Sequence, residues 1–176
     1  MDIRGDRLVE IYTGESENFS VGKLYCQNAH AAIFYDIDTQ GKIAGYCAMR
    51  KPYIASLEYA TEYLEKIEKY MAYGEEHPYS KWFQISKVMF DTEKDLFDQV
   101  LEYSQKKGLI ITLALQNEEE GEAARIETME GGMASLSCVD VSNARFREKR
   151  MVSVQDIVYI GFETIDNRLL AYAERS

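Results

Sequence analysis

A chain of 176 residues with 46% apolar and 28% charged side chains has the balance of a globular protein, which excludes the disordered class. Its net charge of −10 argues against a protein that relies on a broad cationic surface to hold nucleic-acid phosphates. No run approaches the ~18 apolar residues of a membrane-spanning helix, and the opening Met1-Asp2-Ile3-Arg4-Gly5-Asp6 lacks a signal-peptide core, so a cytoplasmic protein with no membrane association is expected.

In chain order, the first strand is predicted over 7–12, with Leu8, or Val9 and Ile11, on the buried side. A loop of turn formers at 13–18 leads to Phe19–Cys26, where Gly22 marks a bulge, a bend or close backbone approach. Ala31–Asp38 alternates as a third strand, Thr39–Lys42 reads as a hairpin turn, and Ile43–Met49 is a fourth strand that Arg50-Lys51-Pro52 ends. From Ser56 the period changes: Leu57, Ala60, Leu64, Ile67 and Met71 recur at three and four, predicting a helix that Gly74 stops. Trp82–Phe90 is open between strand and short helix. Asp91 is placed as the N-cap of a second helix that buries Leu96, Phe97, Val100 and Leu101 and ends at Lys106-Lys107-Gly108. Five strand-like pieces follow, at 109–115, 123–128, 133–140, 145–151 and 154–162. Glu118, Glu119 and Glu120 lie in a turn expected to face solvent for lack of a basic partner nearby in sequence, and Leu169–Tyr172 closes the chain as a strand or short helix.

These segments repeat. Val9 to Tyr59 returns in degenerate form as Ile111 to Tyr159, at an offset of 102 residues through Asp38 and Asp140 and of 100 from Arg50 and Arg150 onward. The expected organisation is a first unit over 1–73, a connector over 74–90, and a helix plus second unit over 91–176. Tyrosine is over-represented at 13 residues, which suits strand faces and interfaces, since the ring combines apolar area with one polar handle. Cys26, Cys47 and Cys138 are odd in number, without C-x-x-C spacing, and are expected as buried reduced thiols.

The helix ahead of Leu109–Tyr172, the glycine-bearing strand Phe19-Ser20-Val21-Gly22-Lys23-Leu24, and the closing Ile54-x-x-Leu57 and Val154-x-x-Ile157 resemble the Sm-like family of small five-stranded barrels. The resemblance implies an α+β, mainly β fold of two small, strongly bent antiparallel barrels, Sm-like or SH3-like, joined by a helical connector. In many members it also implies a ring of subunits that binds uridine- or adenine-rich single-stranded RNA. By position, His30, Arg50, Lys51, Arg147 and Arg150 are the candidate RNA contacts; Gly132 stands in the second copy where His30 stands in the first, and Ala124 replaces Gly22. Read from the residues alone, Arg147, Lys149 and Arg150 lie on the exposed face of an edge strand, and Arg50-Lys51 blunts an edge.

An enzyme needs a constellation, and only fragments are present. Cys26-x-x-x-His30 supplies two ligands and no closed zinc site, and Asp36 with Asp38 more often caps a hairpin. No glycine-rich phosphate loop, G-x-S-x-G or H-E-x-x-H occurs. The expectation is therefore a non-catalytic adaptor or regulatory module with no catalytic residues, cofactor or metal, binding protein partners that include copies of itself. The alternatives are the RNA-binding reading, disfavoured by the net charge, and a small enzyme that pairs Cys26, Cys47 or Cys138 with His30 or His77.

Overall fold

The computed structural model describes residues 3–5, 7–14, 18–76, 87–118 and 121–174. Ten strands and three helices are defined among them: β1 (Leu8–Thr13), β2 (Phe19–Gln27), β3 (Ala31–Ile37), β4 (Ile43–Arg50), β5 (Ile54–Glu58), α1 (Glu62–Glu76), α2 (Leu96–Lys107), β6 (Ile110–Leu115), β7 (Glu122–Glu130), β8 (Met133–Asp140), β9 (Arg145–Ser153), β10 (Ile157–Phe162) and α3 (Ile165–Glu174). A 3-10 turn, Lys51–Tyr53 or Val154–Asp156, precedes the last strand of each half.

All ten strands form one open antiparallel sheet in the order β5-β1-β2-β3-β4-β10-β6-β7-β8-β9. This overturns the expectation of two closed Sm-like or SH3-like barrels, and the resemblance that implied them falls with it. Closure within the first half needs β4 beside β5, yet among the described residues β5 pairs only with β1 and the outer side of β4 is taken by β10. That joint fits closely: Tyr46, opposite Phe162, stacks on it at 5.3 Å between ring centroids, and Ala48 lies opposite Ile160.

The repeat is real in the fold and longer than the sequence shows. β1 and β6 begin at Leu8 and Ile110, β3 and β8 at Ala31 and Met133, each 102 residues apart. After the β8–β9 turn, which is one residue longer, Ile54 corresponds to Ile157, 103 residues on, so the offset of 100 placed Ile54 against Val154 wrongly. The correspondence runs into the helices. Ala60 (φ 59°) and Glu163 (φ 53°) turn the chain in the same left-handed conformation, and Thr61 and Thr164 then cap α1 and α3, accepting the N–H of Leu64 and of Asn167, each at 3.2 Å. Leu57 accordingly belongs to a strand, Gly74 lies inside α1 and does not stop it, and Leu169–Tyr172 is helical.

Both faces of β1 are buried, which resolves the choice between Leu8 and the Val9–Ile11 pair. Val9 and Ile11 pack with Phe34, Cys47, Met49 and Ile54, while Leu8 packs under Leu64 and Ile67 of α1. α2 covers the joint between the halves: Leu96, Phe97, Val100 and Leu101 share one core with Ile33 and Ala48 of the first half and Ile111, Leu113 and Ile160 of the second. Each such side chain, fully withdrawn from water, contributes roughly 1.5–3 kcal/mol before entropy is charged against it. The N-cap of α2 is Asp95, whose carboxylate accepts the N–H groups of Phe97 (2.8 Å) and Asp98 (3.0 Å); Asp91, assigned that role from sequence, caps a preceding turn through the Glu93 N–H (3.1 Å). Gly108 ends the helix in the left-handed conformation (φ 62°), as its basic-basic-glycine sequence predicts. Of Trp82–Phe90, residues 82–86 lie outside the described residues, and 87–90 have no regular structure.

Candidate functional site

The five residues singled out for RNA contact separate by what they already hold. Arg50 ends β4 inside the sheet, so it blunts no edge. Its Nε–H donates to the Ile157 carbonyl (2.7 Å), an Nη–H donates to the Val154 carbonyl (3.0 Å), and the guanidinium lies 4.4 Å from the centroid of the Phe97 ring. Arg50 therefore clasps the 3-10 turn of the second half to the first half and to α2. Lys51 donates its backbone N–H to the His30 carbonyl (2.8 Å), and His30 is exposed in the β2–β3 turn, which Asn28 closes by accepting the His30 N–H (2.9 Å).

Arg147 and Arg150 lie on β9, an outer strand of the sheet. Arg147 is exposed, whereas Arg150 forms ion pairs with Glu118 and with Glu122, the latter at 3.3 Å. The Arg150 guanidinium holds the Glu118 carboxyl below its usual range. Glu118, in the loop after β6, thus has a basic partner that sequence proximity did not reveal, 32 residues away on β9.

The fragments weighed for catalysis do not converge among the described residues. Cys26, Cys47 and Cys138 are free; burial pushes the Cys26 thiol up to about 11 and raises the other two, so all three are held as neutral thiols near pH 7. No group of three or more His, Cys, Asp or Glu side chains is placed to hold a metal among the described residues, and His77 lies outside them. Asp38 accepts the N–H groups of Gln40 and Lys42, both at 2.8 Å, and so closes its hairpin, as Asp140 closes its own through Ser142 (2.9 Å). None of the described helices is long and apolar enough to cross a membrane.

Asp36 behaves differently from its neighbour. Burial, with Asp38 and Asp166 nearby, raises its pKa from 3.8 to about 6. A folded-state pKa above the unfolded value of about 3.9 means that the charged form costs stability above pH 6, and that this cost disappears as pH falls through 6 toward 4. Asp36→Asn is expected to stabilise the protein by about 2 kcal/mol at pH 7.5 and by close to nothing at pH 4, measured by urea unfolding at both values. An equal gain at both pH values refutes the assignment to ionisation.

The feature with the clearest capacity for recognition is the pair of outer strands, β5 and β9, each with one side unpaired within this sheet. The internal duplication relates them. β4 pairs with β10 through Tyr46↔Phe162, Cys47↔Gly161, Ala48↔Ile160 and Met49↔Tyr159. In the other half the counterparts of Tyr46–Met49 are Lys149–Val152 of β9, because Cys47 faces Phe34 as Arg150 faces Leu136. The counterparts of Tyr159–Phe162 are Ser56–Tyr59, on and just after β5. Among the described residues the two outer edges of the sheet are therefore the two sides of a joint the molecule already makes once. Nothing in composition revealed this; the one available signal was the basic run Arg145–Arg150 in an acidic chain.

No family model matches this chain, and no curated protein or solved structure matches it.

Proposed function

We propose that this chain is a non-catalytic protein-binding module whose partners include copies of itself, joined head to tail with β9 of one molecule against β5 of the next. The observation that carries the reading is the β4–β10 joint: one molecule contains a worked example of the contact, and its two outer edges are the corresponding surfaces. An unpaired strand edge is a template for another strand, and main-chain hydrogen bonds supply affinity while side chains supply register.

Transferring the internal register gives Met151↔Leu57, Arg150↔Glu58 and Lys149↔Tyr59. Met151 is 60% exposed in the isolated chain and would meet an apolar partner; Arg150 and Lys149 would face a carboxylate and an aromatic ring. Charge supports the same polarity, since β9 carries Arg145, Arg147, Lys149 and Arg150 while Glu58, Glu62 and Glu65 lie on and after β5. One position differs. A Cβ on Gly45 would lie 2.7 Å from the Thr164 Cα, and Glu148 is the residue of β9 in that place. The intermolecular ladder therefore ends at Lys149. It also lacks the clasp, because Ser153 stands where Arg50 stands. Such a contact is heterologous, closing into a ring or running on as a filament according to its rotation.

Sedimentation over roughly 1–100 µM protein is expected to show mass rising with concentration, a rise that Met151→Lys or Leu57→Lys suppresses and Glu148→Gly enhances. A Met151→Cys, Leu57→Cys double variant should form oxidised cross-links between molecules that neither single variant forms. A monomer at every concentration, for the parent and for Glu148→Gly alike, refutes self-association.

A further inference from the structure

We infer that the groove between α3 and the β8–β9 turn is a binding site for a peptide segment of a partner protein that presents aromatic side chains beside a Lys or Arg. This deepens the protein-binding reading and rests on it, but uses a surface distinct from the two strand edges. The groove encloses about 710 Å³ and is mainly apolar, with Leu170 and Ala123 at its floor and Val141 and Leu169, 68% and 51% exposed, on its rim.

The duplication shows what such a surface accepts. In the first half the corresponding place is closed by the chain's own side chains. Phe19 packs edge-on against Tyr63 at 5.1 Å, and the Lys66 ammonium lies 3.9 Å from the Tyr63 centroid and 5.9 Å from that of Tyr70. Tyr70 in turn packs on the β3–β4 turn, its Cβ 3.1 Å from where a Cβ on Gly41 would be. In the second half Gly121 stands for Phe19, Asp166 for Tyr63, Leu169 for Lys66 and Ala173 for Tyr70, by the same pairing of strands and helix caps. Three aromatic rings and a cation are missing together, while the scaffold that holds them is kept: Leu64 and Ile67 of α1 have Asn167 and Leu170 of α3 as counterparts. Asn167 is itself buried and satisfied, donating to the Gly161 carbonyl (3.2 Å) and accepting from Thr112 Oγ1 (3.0 Å), so the groove wall is preformed. Asp166 lines the groove and forms no ion pair among the described residues, which adds an anionic contact for the cation. Aromatic rings in an apolar groove with one charged neighbour are a recurrent anchor chemistry for peptide recognition.

The test uses a labelled hexapeptide carrying Trp and Tyr around a Lys, and the same peptide with both aromatics changed to Ala. Fluorescence anisotropy is read alongside methyl NMR shifts of Val141, Leu169, Leu170 and Ala173. Saturable binding of the aromatic peptide with shifts at these methyls is expected, with the Ala peptide weaker by roughly tenfold or more. Ala173→Tyr and Gly121→Phe restore residues that the first half accommodates, and each should weaken binding by a similar factor without loss of fold, while leaving sedimentation unchanged. Met151→Lys should leave peptide binding unchanged, so the edge and the groove fail or succeed separately. The inference is overturned by the absence of saturable shifts up to millimolar peptide, by equal binding of the Ala peptide, or by unchanged affinity in both filled variants. It is also overturned if the same methyls shift with protein concentration alone and Ala173→Tyr abolishes that shift, since a second copy would then be the occupant.

Discussion

Arg50→Ala is expected to lower the stability of the protein by about 3 kcal/mol, read as a reduced urea midpoint at pH 7. The side chain makes two charge-assisted hydrogen bonds to the carbonyls of Ile157 and Val154 and lies over the Phe97 ring. Hydrogen bonds to a charged donor contribute about 1.5–3 kcal/mol each, and a cation over a ring about 0.5–2, but they share one side chain and do not add. The larger part of the loss comes from what remains, since two carbonyls at the 3-10 turn lose their donors where the halves meet. Arg50→Lys is expected to recover less than half, because an ammonium has no planar fork to reach both carbonyls while covering a ring. Ser153→Ala, at the corresponding place on β9, is expected to change stability by under about 0.5 kcal/mol. A loss below about 1 kcal/mol for Arg50→Ala means that the clasp is dispensable.

Arg50 also shows where sequence reasoning stops. A basic residue before Lys51-Pro52 at the end of a strand looks like protection of an exposed edge, and both of its acceptors lie more than 100 residues further along the chain. Local signals read well. The Asp38 hairpin, the Gly108 cap and every strand but β5, whose Leu57 was read into a helix, follow from turn chemistry and period. The repeat was visible because Val9 and Ile11 recur as Ile111 and Leu113, but it lost register after the β8–β9 turn, Val141-Ser142-Asn143-Ala144, where no single residue marks the insertion. The capping error has a similar origin: Asp91 and Asp95 both stand within five residues ahead of Leu96, and only the turn geometry separates the carboxylate that caps α2 from the one that caps the turn before it. Barrel against open sheet was not legible at all. Five strands in the order seen in each half suit either, and the choice depends on whether β4 finds β5 or β10, which is decided by the fit of Tyr46 on Phe162 and by the space beside Gly45. The edges and the groove share that difficulty. Gly121, Asp166 and Ala173 are unremarkable residues until Phe19, Tyr63 and Tyr70 are seen to occupy the same places.

The space beside Gly45 carries the second large effect. A Cβ there would approach the Thr164 Cα to 2.7 Å and its Cγ2 to 2.8 Å, closer than non-bonded carbons pack, and one of the two contacts is with backbone. Thr164 is not free to retreat, because its Oγ1 accepts the Asn167 N–H and its carbonyl accepts that of Arg168, which together start α3. Gly45→Ala must therefore shift β4 away from β10 or displace the first turn of α3, and either loosens the Tyr46–Phe162 stack next to it. Overpacking of this kind costs about 1–3 kcal/mol, so melting is expected to fall by roughly 2–12 °C for a chain of this size. Thr164→Ser in the Gly45→Ala background removes Cγ2 and keeps the cap, but leaves the backbone contact, so it should restore only part of the loss. A melting temperature within about 2 °C of the parent for Gly45→Ala means that the joint yields without cost. The same steric argument has the opposite sign at the corresponding place on β9, where Glu148 replaces glycine: adding a methyl group at 45 is expected to weaken the joint inside the molecule, and removing the side chain at 148 to strengthen the proposed joint between molecules.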